Sequence, residues 1–572
     1  FNPDLPTLDL TDVDRIEVVR GSAPVMYGAT SFVGVIHIIH REAGSPGMIR
    51  GSGGSHGSGS MAGSVALSQT PELRQSIVAN VDRKRFRDDD TGFDRVHGLY
   101  RAASNTPAGT WRFDADLTAL RQDPNSPHPR EGQELSRAVP IDANHNPDDA
   151  HLDQNRVHLV GGWGGTMAGS PWTTTLAFTH SSFDIVRGFL TEVTESDANA
   201  IGFSQDRSVS DIYFDTHIVR TISPSIRLVA GFDHLYGNAH ATSDTFSYFA
   251  PLAGGKGGRS SEATPLEDFD ARDRRNFSGL YLSSEWTVSP ELMVDTGVRL
   301  NHTAERRQTD GPDGPESESR GFTRLSGSVG TNYTIYRRDR EAISLFADYR
   351  NTFKPAAIDF GPEAEVEILD PETATSYEAG FKGRMSNSRL SWTASVFQMD
   401  FRNLVTAGEQ DGTPILQNSG RNRFTGAELE IEYQWAPSLR TQFGYSYHDS
   451  RFRDFVQDFD GVPTQLAGNR LEMVPYNLAG AGFLWAPPSG LNTSATINYV
   501  GARWLNKRNT ALADSYTTWN AGVGYRLTHC ELRIDGRNLG NARDPVAESE
   551  FGDAQYYLLP ARSLEVAYRY FF

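Results

Sequence analysis

Hydrophobic and polar positions alternate with a period of two along most of this chain. The last eleven residues show the pattern most cleanly. Leu564, Val566, Tyr568, Tyr570 and Phe572 fall on one face, and Ser563, Glu565, Ala567 and Arg569 lie mostly on the other. Leu292, Val294, Thr296, Val298 and Leu300 repeat it, as do Leu390, Trp392, Ala394 and Val396. Ile212, Phe214, Thr216 and Ile218 follow the same rule, and so do Leu491, Ala495, Ile497 and Tyr499. Each segment reads as a strand with one oily and one wet face. A closing strand that ends the chain on aromatic residues suits a membrane barrel, where the apolar face meets lipid and an aromatic girdle sits at the interface.

The connections come in two sizes. Short turns carry Pro, Gly, Asn or Ser: Thr70-Pro-Glu-Leu, Asn105-Thr-Pro-Ala-Gly, Ser223-Pro-Ser-Ile, Ser289-Pro-Glu-Leu, Ala436-Pro-Ser-Leu and Ala486-Pro-Pro-Ser-Gly. Long polar stretches lie between them, at 121–153, 238–272, 302–320, 354–371, 451–470 and 503–514. Short inner turns alternating with long outer loops are the rhythm of an up-and-down barrel, and pairing strands with connections predicts about 22 strands. The glycine- and serine-rich stretch 51–64 resembles a linker, but in this place it reads as the first hairpin of the barrel. Its small side chains are expected to let another domain approach the wall.

Composition narrows the class. The chain has 572 residues, too many for one ordinary soluble core. It is 38% hydrophobic and has a mean hydropathy of −0.47, and no apolar run reaches the roughly 20 residues that a spanning helix needs. A spanning strand buries only alternate side chains in lipid, so low mean hydropathy is compatible with a barrel. A large soluble β-sandwich or propeller array remains the alternative on composition. Cys530 is the single cysteine, which excludes an internal disulfide framework. A net charge of −18 without a basic stripe argues against nucleic acid as a partner.

Residues 1–44 differ from the rest. Val13-Asp-Arg-Ile-Glu-Val-Val is a short strand, and Gly21-Ser-Ala-Pro-Val-Met-Tyr-Gly28 is a tight turn. Val33-Gly-Val-Ile-His-Ile-Ile39 is a continuous apolar run of buried-strand type. These residues predict a compact element that does not face lipid. His37 and His40 fall on opposite faces of that strand, which makes polar core residues the plainer reading and a metal site the poorer one.

The stretch from Asp12 to Gly28, followed by Val33–Ile39, closely resembles the end of the plug domain of TonB-dependent outer-membrane receptors of the siderophore-receptor kind. Leu369-Asp-Pro-Glu-Thr-Ala-Thr-Ser-Tyr-Glu-Ala-Gly-Phe-Lys382 is similar to a mid-barrel signature of that family. Asn418-Ser-Gly-Arg-Asn-Arg-Phe-Thr-Gly-Ala-Glu-Leu-Glu430 is similar to the strand pair after it, and Arg537-Asn-Leu-Gly-Asn-Ala-Arg-Asp544 to the loop before the last strand. The resemblance implies an all-β fold: a 22-stranded antiparallel transmembrane barrel over 45–572, with the C-terminal part of a plug, 1–44, inside it. Only the last part of a plug is matched and no TonB box is visible; the intact motif favours an upstream portion outside this sequence over a defective relative.

The resemblance also implies a function. It is active uptake of a scarce, bulky nutrient across the bacterial outer membrane, with a ferric siderophore as the commonest family ligand. Cobalamin, saccharide and metal-chelate ligands stay open, as do a passive porin and a surface adhesin. The implied partners are a TonB-type energising complex of the inner membrane, outer-membrane lipid and lipopolysaccharide, a small extracellular ligand, and the barrel-assembly machinery, which would read Tyr570 and Phe572. No cofactor is implied. By family analogy Arg20, with Arg15 less central, would form a salt-bridged lock with Glu378 and Glu428; separate lumen charges in water are the alternative. Outward aromatics and arginines, namely Tyr248, Phe249, Arg259 and Trp504, are candidates for ligand binding or for loop packing. Acidic loop positions (Asp88–Asp90, Asp148, Asp149, Asp153) suit a hard cation or simple solvation. No phosphate loop or H-E-x-x-H helix is present, and an enzyme is not expected.

Overall fold

The computed structural model describes all residues except 1–7, 21–24, 29–31, 33, 196–197, 256, 312–313, 356–367, 411–412 and 460. Twenty-two antiparallel strands close into one barrel that begins at Met48–Gly54 and ends at Ser563–Phe571. The first and last strands pair with each other, Met48 opposite Phe571 and Gly54 opposite Glu565. Gly47 and Phe572 complete the seam with two backbone hydrogen bonds of 3.1 Å. The Phe572 ring lies so close that a Cβ on Gly47 would sit 2.4 Å from it. Closure removes every sheet edge, which hydrocarbon demands because it cannot satisfy free N–H and C=O groups.

The outward face is apolar, as the alternation predicts. Leu564, Val566, Tyr568, Tyr570 and Phe572 are all exposed on the outside. The six proline-bearing turns fall between consecutive strands, all at one end of the barrel. A seventh turn at that end is a two-residue hairpin: Met167 pairs with Ser170 around Ala168 and Gly169, whose φ angles are +50° and +74°. Two positive φ values mark the turn whose twist matches the flanking strands.

Three expectations are corrected. Stretches 302–320 and 238–272 are largely strand rather than loop. Leu292–Gly311 pairs through to Gly314–Arg338, and Ile226–Tyr248 runs far beyond a bilayer's thickness into Thr264–Thr287. A spanning strand needs about 9–11 residues, whereas Gly314–Arg338 has 25. Its exposed large apolar residues, Leu325, Val329, Tyr333, Ile335 and Tyr336, all lie from about the strand's midpoint onward. The first half stands above the membrane as a polar ribbon, so it lacks the alternation that marks a strand. Stretch 51–64 is indeed a hairpin, but Gly51 and Gly53 have open space where a Cβ would sit, beside lipid-facing Ile49. Nothing described packs on them.

The third correction concerns the N-terminal hairpin. Val13–Arg20 pairs with Gly34–His40, with Val13 opposite His40 and Arg20 opposite Gly34. It lies in the bore, yet Ile16, Val18 and Ile36 are exposed, Ile36 by 70%. An apolar run implies burial only if a second layer covers it, and no described residue does so here. His37 and His40 do take opposite faces: His37 lies 3.9 Å from Glu17 and His40 3.9 Å from Asp12.

Candidate functional site

Two regions gather polar chemistry: the seat of the N-terminal segment in the lumen, and the mouth built by the long connections.

The seat begins with a single turn, Val25–Tyr27. Val25 packs on Val229 and Tyr281 of the wall. Its carbonyl faces Arg299, which is held bidentately by Asp233 at 2.6 and 2.7 Å and also donates to Asn301 at 2.7 Å. The pair is almost wholly buried, so each charge depends on the other. Two glycines make the approach possible. A Cβ on Gly279 would fall 1.8 Å from the Arg299 guanidinium, and one on Gly297 would fall 2.8 Å from Val25. Further along, Phe32 meets Phe401 at 5.5 Å between ring centroids. Asp12 is buried between Arg41 at 3.4 Å and Arg101 at 3.8 Å. Burial pushes the Asp12 carboxyl up against the pull of Arg41 and Arg101.

Asp9 is held on several sides. Its carboxylate accepts from Asn80 at 2.9 Å and from Thr11, and it lies 2.9 Å from His97 Nδ1. Burial works against the Asp9 charge, but the bonds from His97 and Thr11 outweigh it and hold the carboxyl well below the ordinary range.

The residues of the predicted lock fall in different places. Glu378 and Glu428 are neighbours inside the barrel, grouped with Asp348 and Arg350. Asp295 and Asp348 converge over Gly330, where a Cβ would meet both carboxylates. The result is an acidic ledge facing the bore. Arg15 does not reach it; it is exposed and pairs with Asp14 at 3.0 Å and Glu17 at 2.7 Å on its own strand. The Arg20 side chain lies outside the described residues.

At the mouth, connection 538–562 forms a strap. Its hairpin, Pro545–Ser549 with Gly552–Leu558, joins the hairpin His128–Glu131 and Glu134–Leu135 in one four-stranded sheet. The strap crosses to a strand far around the ring, where Arg187 binds Glu550 at 2.5 Å and donates to Tyr557. Phe551 meets Phe189 at 4.9 Å. Tyr556 is fully buried and donates to the Leu505 carbonyl at 2.5 Å. Arg543 reaches Asp88 at 2.5 Å and Asp142 at 2.9 Å. On the third side, a Cβ on Gly552 would sit 3.8 Å from Ala407 Cβ.

The other candidate ligand residues divide. Tyr248 is loop core: it is buried among Val139, Ala143 and Phe246, and donates to the His145 carbonyl at 2.6 Å. Phe249 is exposed. Arg259 is exposed and pairs with Asp148 at 3.2 Å. Trp504 sits apart, on the short hairpin formed by Arg503–Trp504 and Leu512–Ala513. The acidic loop positions are largely taken. Asp88 serves Arg543, Asp148 serves Arg259 and Asp149 accepts from Ser260. Among the described residues no group of three or more His, Cys, Asp or Glu is arranged for a metal ion. A cavity of about 460 Å³ opens beside them, lined by Arg85, Asp88, Asp90, Asp123, Asn144 and Asn146 among others.

Sequence reasoning missed Asp9, His97, Arg187, Asp233, Arg299 and Glu550. Period two puts Asp233 and Arg299 on wet faces, but nothing in the sequence says that those faces meet.

The arrangement agrees with what the chain is similar to. The sequence profile described as "TonB dependent receptor-like, beta-barrel" matches residues 80–539. The ferrioxamine receptor of Yersinia enterocolitica is 22% identical, covering 95% of this chain and 77% of the relative. The metal-pseudopaline receptor of Pseudomonas aeruginosa is 23% identical, covering 94% and 77%. Among solved structures, the siderophore receptor PiuA of Acinetobacter baumannii superposes with a TM-score of 0.82 at 16% identity, covering 98% of this chain and 87% of that one.

Proposed function

The chain belongs to the TonB-dependent receptor family, its barrel sits in the bacterial outer membrane, and on that premise we propose that it takes up a ferric siderophore by energised transport. The observation that carries this reading is the seat: a closed barrel whose bore holds an N-terminal segment by buried contacts, Asp9 with His97, Asp12 with Arg101, and the Val25 carbonyl with Arg299. A passive pore has no use for such a stopper. Relatives named for ferrioxamine and metal-pseudopaline support a metal chelate as cargo.

In this reading residues 1–44 act as the C-terminal part of a plug and 45–572 as the barrel. Cargo reaches the mouth while the strap 538–562 swings aside. Phe249 and Arg259, exposed on the rim, make early contact; Tyr248 supports their loop from beneath, and Trp504 flanks another part of the mouth. Arg20 completes the lock on the ledge of Glu378 and Glu428. A TonB-type complex supplies the pull from the inner membrane, and the assembly machinery reads Tyr570 and Phe572. Cargo is carried and not converted. The test is growth of iron-starved cells that lack their other receptors. Ferric siderophore should restore growth only when this chain and the energising complex are both present. Rescue without the complex would overturn the proposal.

A further inference from the structure

His97 stands between two carboxylates that belong to different parts of the molecule. Its Nδ1 is 2.9 Å from Asp9 of the N-terminal segment, and its Nε2 is 3.2 Å from Asp116 of the wall. Its side chain is only 3% exposed. A neutral imidazole has one N–H, so it would turn a lone pair toward one of these oxygens; only the imidazolium donates to both. The surrounding charges agree. Asp9 comes from the segment, Asp82 from Leu73–Arg85 and Asp116 from Gly109–Asp123. Against them stand Arg95 on the strand of His97 itself, which binds Asp82, and Arg156 from His151–Met167, which lies 3.3 Å from Asp116. His158 on that last strand and His40 of the N-terminal hairpin are further titratable groups near Asp116, with Asp114 beside both and Arg101 beside His40. Three carboxylates meet two guanidinium groups, and a charged His97 completes the balance. Arg95 also donates to the Leu8 carbonyl at 2.7 Å, and Asn80 donates to both Asp9 and Asp82. The contacts therefore grip the chain at residues 8 and 9, ahead of the hairpin.

We propose that His97 is a two-sided clamp that pins the N-terminal segment to the barrel wall, and that it is a contact that a pull from upstream must break before the hairpin moves. The clamp is geometric and stands alone; its place in the load path rests on the transport reading above. Protonation sets its grip. It holds while His97 keeps both protons and Asp9 stays ionised, and it opens once alkaline solution strips one imidazole proton.

The test is a spin label at Leu10→Cys, an exposed position beside the clamp, in a Cys530→Ser background. The label should be immobile at neutral pH and mobile in alkaline solution. His97→Gln should leave it mobile throughout. His97→Arg, which keeps a fixed charge and several donors, should keep it immobile with no transition. Heat-shifted mobility on gels confirms that each variant's barrel is closed. A label that never changes with pH in the parent, or a transition that survives in His97→Gln, overturns the clamp. For the load path, energised chelate uptake at saturation should follow the alkaline transition in the parent and lose it in His97→Arg. Equal pH profiles would remove the clamp from the load path while leaving its grip established by the label.

Discussion

Removing the Glu550 carboxylate should open the strap. Arg187 and Glu550 have side-chain exposures of 13 and 23%, so the closed mouth buries most of this pair. Stranding one partner of a fully buried pair costs roughly 3–5 kcal/mol, and the residual accessibility places Glu550→Ala at the lower end, about 3 kcal/mol. With the strap displaced, Arg187 is hydrated and bears no such penalty. The cost therefore falls on the closed state alone and shifts closed against open by roughly 100-fold, since 1.4 kcal/mol is tenfold. A cysteine pair reads the shift directly. A Cβ at Gly552 would lie 3.8 Å from Ala407 Cβ, within the usual disulfide range of about 3.5–4.5 Å. The positive φ of Gly552 strains any cysteine placed there, but equally in both backgrounds. Gly552→Cys/Ala407→Cys in a Cys530→Ser chain should cross-link readily and block uptake until reduced. Adding Glu550→Ala should slow cross-linking by one to two orders of magnitude. Unchanged cross-linking, or full uptake by the cross-linked protein, would refute the strap as a gate.

Acid should loosen the same cap by another route. Burial pushes His145 down from 6.5 to about 4, so the open loop binds a proton that the packed one refuses. Stability is therefore intact above pH 6.5 and falls as pH drops toward 4. The loss is about 2 kcal/mol by pH 5, measurable as faster hydrogen exchange of 139–149 at pH 5 than at pH 7.5, with His145→Gln flattening the difference. In the seat, Asp233→Ala strands Arg299 and should cost roughly 3–5 kcal/mol locally, seen as protease access near Val25; Asp233→Leu with Arg299→Met should recover most of it. Glu378→Gln with Glu428→Gln should raise leak of small solutes, and unchanged leak in planar bilayers would remove the lock.

The barrel was legible because lipid imposes a rule on every strand. Outward positions such as Leu325, Val329 and Tyr333 must be apolar, and at one end of the barrel the turns between strands are short. Above the bilayer that rule lapses. The ribbons at 302–320 and 238–248 are held by backbone bonds that leave no mark on side-chain type. The hairpin at 13–40 misled for the opposite reason: apolar Ile36 suggests a covering layer, but composition does not supply one. The site was less legible still. Arg15 sits in the motif yet pairs with Asp14 and Glu17 beside it. Asp9 and His97 lie 88 residues apart and meet only because the wall curves around the segment. Tyr248 has the residue type of a ligand contact and is used instead as loop core.

Whether this plugged barrel moves cargo by work or by diffusion is best settled by uptake of iron-55 bound to a siderophore in cells expressing the chain. Accumulation should be steady in energised cells and fall to background when the proton gradient is collapsed, while binding at the surface persists. Accumulation that continues undiminished without the gradient would contradict the account.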